Sequence, residues 1–184
     1  MPSIDQTFLK LLQDDYAKYP CFIETGTYNG ETVFEFESCF ESLHTIEISE
    51  KYYNRTKSRY SGSKINFILG DSSDVLEQLL PTITTNCIFF LDGHWSAGDT
   101  GRGRADVPLE EEVRHICNLF EHEAILIIDD FRLFGCPNDI VDWRNVNKDT
   151  LVSILQHRIS KVYHLASSLA KDDRLIIHIN SKHD

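Results

Sequence analysis

Two stretches restrict this chain more than any others: residues 86–92 ("NCIFFLD") and 123–129 ("EAILIID"). Each is apolar without alternation and ends on an acid. A strand that is apolar on both faces must be covered on both faces, as happens when helices wrap a parallel sheet. Shorter strand-like segments precede them at 21–25 ("CFIET"), 43–48 ("LHTIEI") and 64–69 ("KINFIL"). Between these segments the pattern turns helical, over 29–40, 49–60, 71–80 (ended by Pro81) and 108–120. In the last of these Leu109, Val113, Ile116 and Phe120 recur at helical spacing, and Pro108 stands near the first turn beside a run of acids. Strand after helix after strand predicts a doubly wound α/β sheet. The ending breaks the alternation. After a helix near 147–158, "KVYHLA" and "RLIIHI" flank "SSLAKDD", which reads as a hairpin. The predicted architecture is a Rossmann-like, mostly parallel seven-stranded sheet closed by an antiparallel pair, with helices on both faces. Ile4, Phe8, Leu11, Leu12 and Tyr19 share one helical face, so residues 1–19 are expected to pack as an outer helix. No repeat or linker interrupts the chain, and 1–184 reads as one domain.

The charge excludes some functions. A formal net charge of −11 argues against a nucleic-acid partner, which calls for a basic face, and against anionic membranes. No apolar run approaches the roughly eighteen residues of a membrane span. The acidic, amphipathic N-terminus is unlike a signal or transit peptide. The five cysteines form no CxxC pair and no zinc spacing, and most lie in apolar stretches. They are expected to be reduced core thiols of a cytoplasmic protein.

Ligands of doubly wound sheets lie beyond the carboxyl ends of the strands, so the residues found there carry the functional reading. The first strand ends in Glu24-Thr25-Gly26-Thr27-Tyr28-Asn29-Gly30. Its glycines suit either a tight corner or the close approach of a ligand to backbone at a helix start. The second strand ends in Glu47, about 20 residues past the glycine loop, where a carboxylate accepts from ribose hydroxyls or caps the next turn. The third runs into "GDSSD", where Asp71 and Ser72 either cap a helix or meet an adenine. The fourth delivers Asp92-Gly93-His94 and the fifth Asp129-Asp130. Three carboxylates at adjacent strand ends call for a divalent cation or a raised pKa, and an all-oxygen set suits Mg²⁺ or Ca²⁺ better than zinc. His94, in a glycine-rich turn beside a strand-end acid, is a candidate base, metal ligand or supporting hydrogen-bonder.

Glu24-x-Gly26-x-x-x-Gly30, Glu47, "GDSS" at 70–73 and "FFLDGH" at 89–94 together resemble the class I S-adenosylmethionine-dependent methyltransferases. The resemblance covers about residues 20–135. It implies S-adenosylmethionine held at the first three strand ends: Glu47 on the ribose, Asp71 and Ser72 toward the adenine, and Glu24, Thr25, Gly26, Thr27 and Gly30 under the methionine part. "LDGH" followed by "IIDD" is similar to the metal-dependent O-methyltransferases that act on sugar hydroxyls in macrolide and aminocoumarin pathways. That similarity implies Mg²⁺, or another divalent cation, on Asp92, Asp129 and Asp130. It makes His94, with Asp92, the catalytic pair, while Asp92 also borders the cofactor.

Residues 93–107, rich in glycine, are expected to form a mobile flap, with Trp95 as a wall and Arg102 and Arg104 as candidate substrate contacts or solvated charges. The expected function is methyl transfer to a hydroxyl oxygen of a small molecule or sugar. Two other readings share parts of the pattern: a nicotinamide-dependent oxidoreductase, and a non-catalytic cofactor-binding or interaction module.

Overall fold

The apolar strands predicted around 86–92 and 123–129 lie side by side, parallel, at the centre of a sheet, and every residue in them is buried. The computed structural model describes residues 3–96, 98, 100–137 and 141–183. The elements are α1 (Gln6–Leu9), β1 (Cys21–Thr25), α2 (Glu31–Glu35), β2 (Ser42–Glu47), α3 (Glu50–Lys57), β3 (Ile65–Leu69), α4 (Ser72–Leu79), β4 (Cys87–Leu91), α5 (Leu109–Leu119), β5 (Ala124–Ile128), α6 (Lys148–Leu155), β6 (Ile159–Leu165) and β7 (Arg174–Ile179). Among the described residues seven strands form one sheet in the order β3-β2-β1-β4-β5-β7-β6. The first five are parallel; β7 enters antiparallel between β5 and β6. The architecture expected from the strand–helix alternation and its terminal hairpin is the one observed.

Alternate residues of each central strand feed opposite cores. Ile23, Phe89, Leu126 and Ile177 face Leu76, Val113, Ile116, Leu151 and Leu155 of α4, α5 and α6. Phe22, Ile88, Phe90, Ile125 and Ile127 face the N-terminal segment and the residues of α2 and its following turn, where Phe22, Phe36 and Phe40 form an aromatic cluster. Each such side chain, fully buried, stabilises the fold by about 1.5–3 kcal/mol before entropy is set against it. Cys21, Cys87 and Cys117 are buried free thiols, whereas Cys39 is half-buried and Cys136 exposed, so three of the five sit in the core.

Two elements are shorter than the sequence pattern implied. The outer helix over 1–19 is a four-residue helix followed by turns and a 3-10 turn at Tyr16–Lys18. The acids are the reason: Asp14 accepts from the Asp15 N–H, and Asp15 caps Ala17, so side chains capture the backbone donors that a helix would use. Ile4, Phe8, Leu12 and Tyr19 are buried all the same, whereas Leu11 is exposed and Leu9 takes its place. The helix expected at 29–40 is regular only over Glu31–Glu35; beyond it the N–H groups of Glu37 and Cys39 donate three residues back, to Phe34 and Phe36, so the chain continues as tight turns. Among the described residues no helix is long and apolar enough to cross a membrane.

Candidate active site

The carboxyl ends of β1, β2 and β4, with the start of α4, open on a cleft of about 480 Å³. Gly26, Thr27, Glu47, Asp71, Ser72, Asp92 and His94 line it, so the predicted residues of four separate segments converge. Its floor is set by the loop after β1. Gly26 takes φ +86°, and a Cβ there would stand 2.5 Å from the Asp92 carbonyl oxygen, so backbone meets backbone between the ends of β1 and β4. Gly30 is left-handed at the start of α2. Tyr28, although not glycine, also has a positive φ of 46°. That conformation aims its N–H at Glu47 Oε2 (2.8 Å), and its ring packs at a tilt against Tyr52, with centroids 4.6 Å apart.

Glu47 is fixed from both sides, because its Oε1 accepts from the Ser49 N–H at 2.7 Å. Burial raises its pKa, and the N–H groups of Ser49, Tyr28 and Ile48 oppose that shift. Asn29, which the sequence reading passed over, also lines the cleft, and its buried Oδ1 has no hydrogen-bond partner among the described residues. An orphaned acceptor in a cleft wall fits a ligand donor; a side chain two residues past Thr27 carried no sequence signal of its own.

Glu24 is placed differently from the expectation. It is 2% exposed and does not line the cleft; it accepts from Thr45 Oγ1 at 2.7 Å, and Thr45 in turn pairs with Thr27. Burial, opposed by Thr45 and reinforced by Glu47, lifts its pKa to about 8. It therefore supports the loop from behind. Thr25 is likewise fully buried, its hydroxyl accepting from the Asp92 N–H at 3.3 Å. Asp71 caps α4 through Ser73 N (3.1 Å), and its second oxygen accepts from Arg104 N (3.2 Å), so both oxygens are engaged within the chain.

The acids at the ends of β4 and β5 divide into two environments. His94 stands between Asp92 and Asp130, its Nδ1 3.5 Å from Asp92 Oδ1 and its Nε2 3.1 Å from Asp130 Oδ2, with its ring against Trp143. Ligand atoms of Asp92, His94 and Asp130 lie within 4.8 Å of one another, which is metal-ligand spacing. Asp129 turns elsewhere: Arg174 Nε lies 3.4 Å from its Oδ1. The two adjacent aspartates still lie close, with ligand atoms of Asp129, Asp130 and Asp173 within 4.8 Å of one another, and Asp130, at a left-handed φ of 59°, reaches His94 as well. The cluster also carries its own cations. Arg132 bridges Asp130 and the buried Asp173. Burial, then the charges of Asp129 and Asp130, push Asp92 well above the usual carboxylate range. Burial raises Asp129 to about 6 against the pull of Arg174. Burial lowers His94, with Asp130 opposing, so its imidazole is neutral near neutral pH.

The described part of the flap folds back over the α4 end of the cleft. Arg102 pairs with Asp106 at 2.7 Å and stacks on Trp95, and Arg104 pairs with Asp74 at 2.8 Å. Both guanidinium groups are thus held by nearby acids; Trp95 lines the cleft. Ala97 and Asp99, within the expected flap of residues 93–107, lie outside the described residues.

No family model matches this chain, and no curated protein matches it by sequence. Solved structures do match in fold. An rRNA methylase from Streptococcus thermophilus is 13% identical over 90% of this chain and 89% of its own, with a TM-score of 0.54. An N-methyltransferase from Bradyrhizobium japonicum is 11% identical over 88% and 85%, with a TM-score of 0.55. The magnesium protoporphyrin IX methyltransferase of Synechocystis, solved with bound S-adenosylmethionine, is 12% identical over 90% and 72%, with a TM-score of 0.52. These proteins differ in acceptor, so the likeness concerns the frame. The chain has the Rossmann-like fold of the class I methyltransferases.

Proposed function

We propose that the protein transfers a methyl group from S-adenosylmethionine to a hydroxyl oxygen of a small molecule or sugar, with a divalent cation assisting. The observation that carries the reading is the single cleft running from Glu47 and Asp71, past the glycine loop, to Asp92 and His94. Its backbone-anchored carboxylate at one end and its imidazole between acids at the other match a nucleoside-bearing donor and an acceptor that must lose a proton.

The chain's own residues would act as follows. Glu47 accepts from ribose hydroxyls, and Asn29 Oδ1 offers a further acceptor in the same wall. The loop at Gly26 keeps side chains out of the floor, so the donor lies against backbone and the acceptor is aligned in line with it. Asp130 orients His94 through Nε2, so Nδ1 would take the acceptor's proton once the acceptor hydroxyl stands beside it in place of the Asp92 carboxyl. S-adenosylmethionine supplies an electrophilic methyl on a good leaving group. A cation, if Mg²⁺ or Mn²⁺, would be held by Asp92, Asp130 and His94 or by Asp92 with the acid pair, and would lower the pKa of the acceptor hydroxyl. The two roles of His94 exclude each other for one nitrogen. Arg132 and Arg174 offset part of the negative charge of Asp130 and Asp129, so the cation would be weakly held. Five unpaired thiols fit a reducing, cytoplasmic setting.

Calorimetric titration with S-adenosylhomocysteine, with and without Mg²⁺, tests the reading. Saturable binding supports it, and tighter binding or metal-dependent turnover that Asp130→Asn abolishes supports the cation. Binding of NAD in its place would indicate an oxidoreductase, and ligand binding without turnover on any hydroxyl acceptor a non-catalytic module.

A further inference from the structure

Three glutamates open α5, and they part company. Glu110 and Glu111 are exposed and face Arg114 and Arg104. Glu112 is 1% exposed, and its Oε1 has no hydrogen-bond partner among the described residues. Its carboxyl lies directly beneath the Asp92-Gly93-His94 turn: a Cβ on Gly93 would sit 3.2 Å from Glu112 Oε1 and 2.9 Å from Thr25 Oγ1. The hydroxyls of Ser72 and Thr25 stand against the same carboxyl. Thr25 also accepts from the Asp92 N–H. One buried side chain therefore touches the ends of β1 and β4 and the start of α4, each of which contributes residues to the cleft or its floor. An acid that only filled space there would be a poor choice, since burial of a carboxyl with an orphaned oxygen opposes folding.

We infer that Glu112 is a positioning residue for the cofactor cleft: from beneath, its carboxyl fixes Ser72 at the start of α4 and the Asp92–Gly93 turn at the end of β4. The inference rests on the proposed cofactor reading. Burial raises its pKa to about 7, and the Ser72 and Thr25 hydroxyls oppose that shift.

The test compares wild type, Glu112→Met and Glu112→Gln by thermal melting and by calorimetric titration with S-adenosylhomocysteine. Glu112→Met, of similar volume and without the orphaned oxygen, is expected to melt at or above the wild-type temperature yet bind about tenfold more weakly, about 1.4 kcal/mol. Glu112→Gln, which keeps hydrogen-bonding atoms in place, is expected to bind within about threefold of wild type. Equal affinity for Glu112→Met and wild type overturns the inference. So does a Glu112→Met protein that no longer melts cooperatively, or equal losses in both variants, since either makes the residue structural. Wild type that fails to bind overturns the cofactor reading itself, an outcome separate from the other three.

Discussion

Replacing Glu24 by glutamine should remove a large part of this protein's pH dependence. Glu24 is a carboxyl in the sheet interior whose one hydrogen bond in the structure comes from Thr45. Its ordinary pKa of 4.5 rises to about 8 in the folded protein, because burial disfavours the charge and Glu47 adds to that effect. The sign follows from linkage. Between those two values the unfolded chain has lost the proton that the folded chain keeps, so stability is full below about pH 4.5 and falls as pH rises toward 8. A shift of that size corresponds to about 3–6 kcal/mol across the window, with a slope of up to about 1.4 kcal/mol per pH unit. Glutamine keeps the acceptor for Thr45 and cannot ionise. Urea unfolding of both proteins at intervals from pH 5 to 9 is the assay. The wild-type free energy should decline relative to the variant by that amount, with the two curves closest at the acid end. Parallel curves would refute the reasoning, because they would mean that Glu24 ionises in the fold as readily as in the unfolded chain.

Two further substitutions probe the frame around the site. Gly26→Ala forces a Cβ against the Asp92 carbonyl at a φ of +86°, where neither backbone has room to give. A loss of about 2 kcal/mol or more is expected in urea unfolding, together with weaker S-adenosylhomocysteine binding; an unchanged midpoint would contradict the close approach. Arg158 is buried and donates to the carbonyls of Ile116, Cys117, Phe120, His122 and Asn180, closing the carboxyl end of α5. Arg158→Met should cost about 3 kcal/mol or more, and a loss under about 1 kcal/mol would show that water satisfies those carbonyls equally well.

The strands were legible because burial on both faces leaves a local mark, an unbroken apolar run, at 87–91 and 124–128. Glu47, Asp71 and Asp92 were legible as residues of one cleft because a doubly wound sheet fixes where strand ends point. The N-terminal segment misled for a local reason: its apolar spacing is helical, but Asp14 and Asp15 take the backbone donors. Glu112 was hidden because three consecutive glutamates at a helix start read as charges complementing its dipole. Arg158 was hidden because its partners are carbonyls more than twenty residues away.

By itself, then, the sequence determined the order of strands and helices, the closing hairpin and the gathering of acids at the carboxyl ends of the central strands. Those are consequences of periodicity and chain direction, which act over a few residues. Tertiary structure alone decided what each acid does. It set Glu24 behind the loop rather than in the cleft, and turned Asp129 to Arg174 while its neighbour Asp130 faces His94. It also brought Glu112 under Gly93. A carboxyl's charge and partners depend on burial and on groups brought in from distant parts of the chain, and neither is written in the residues beside it.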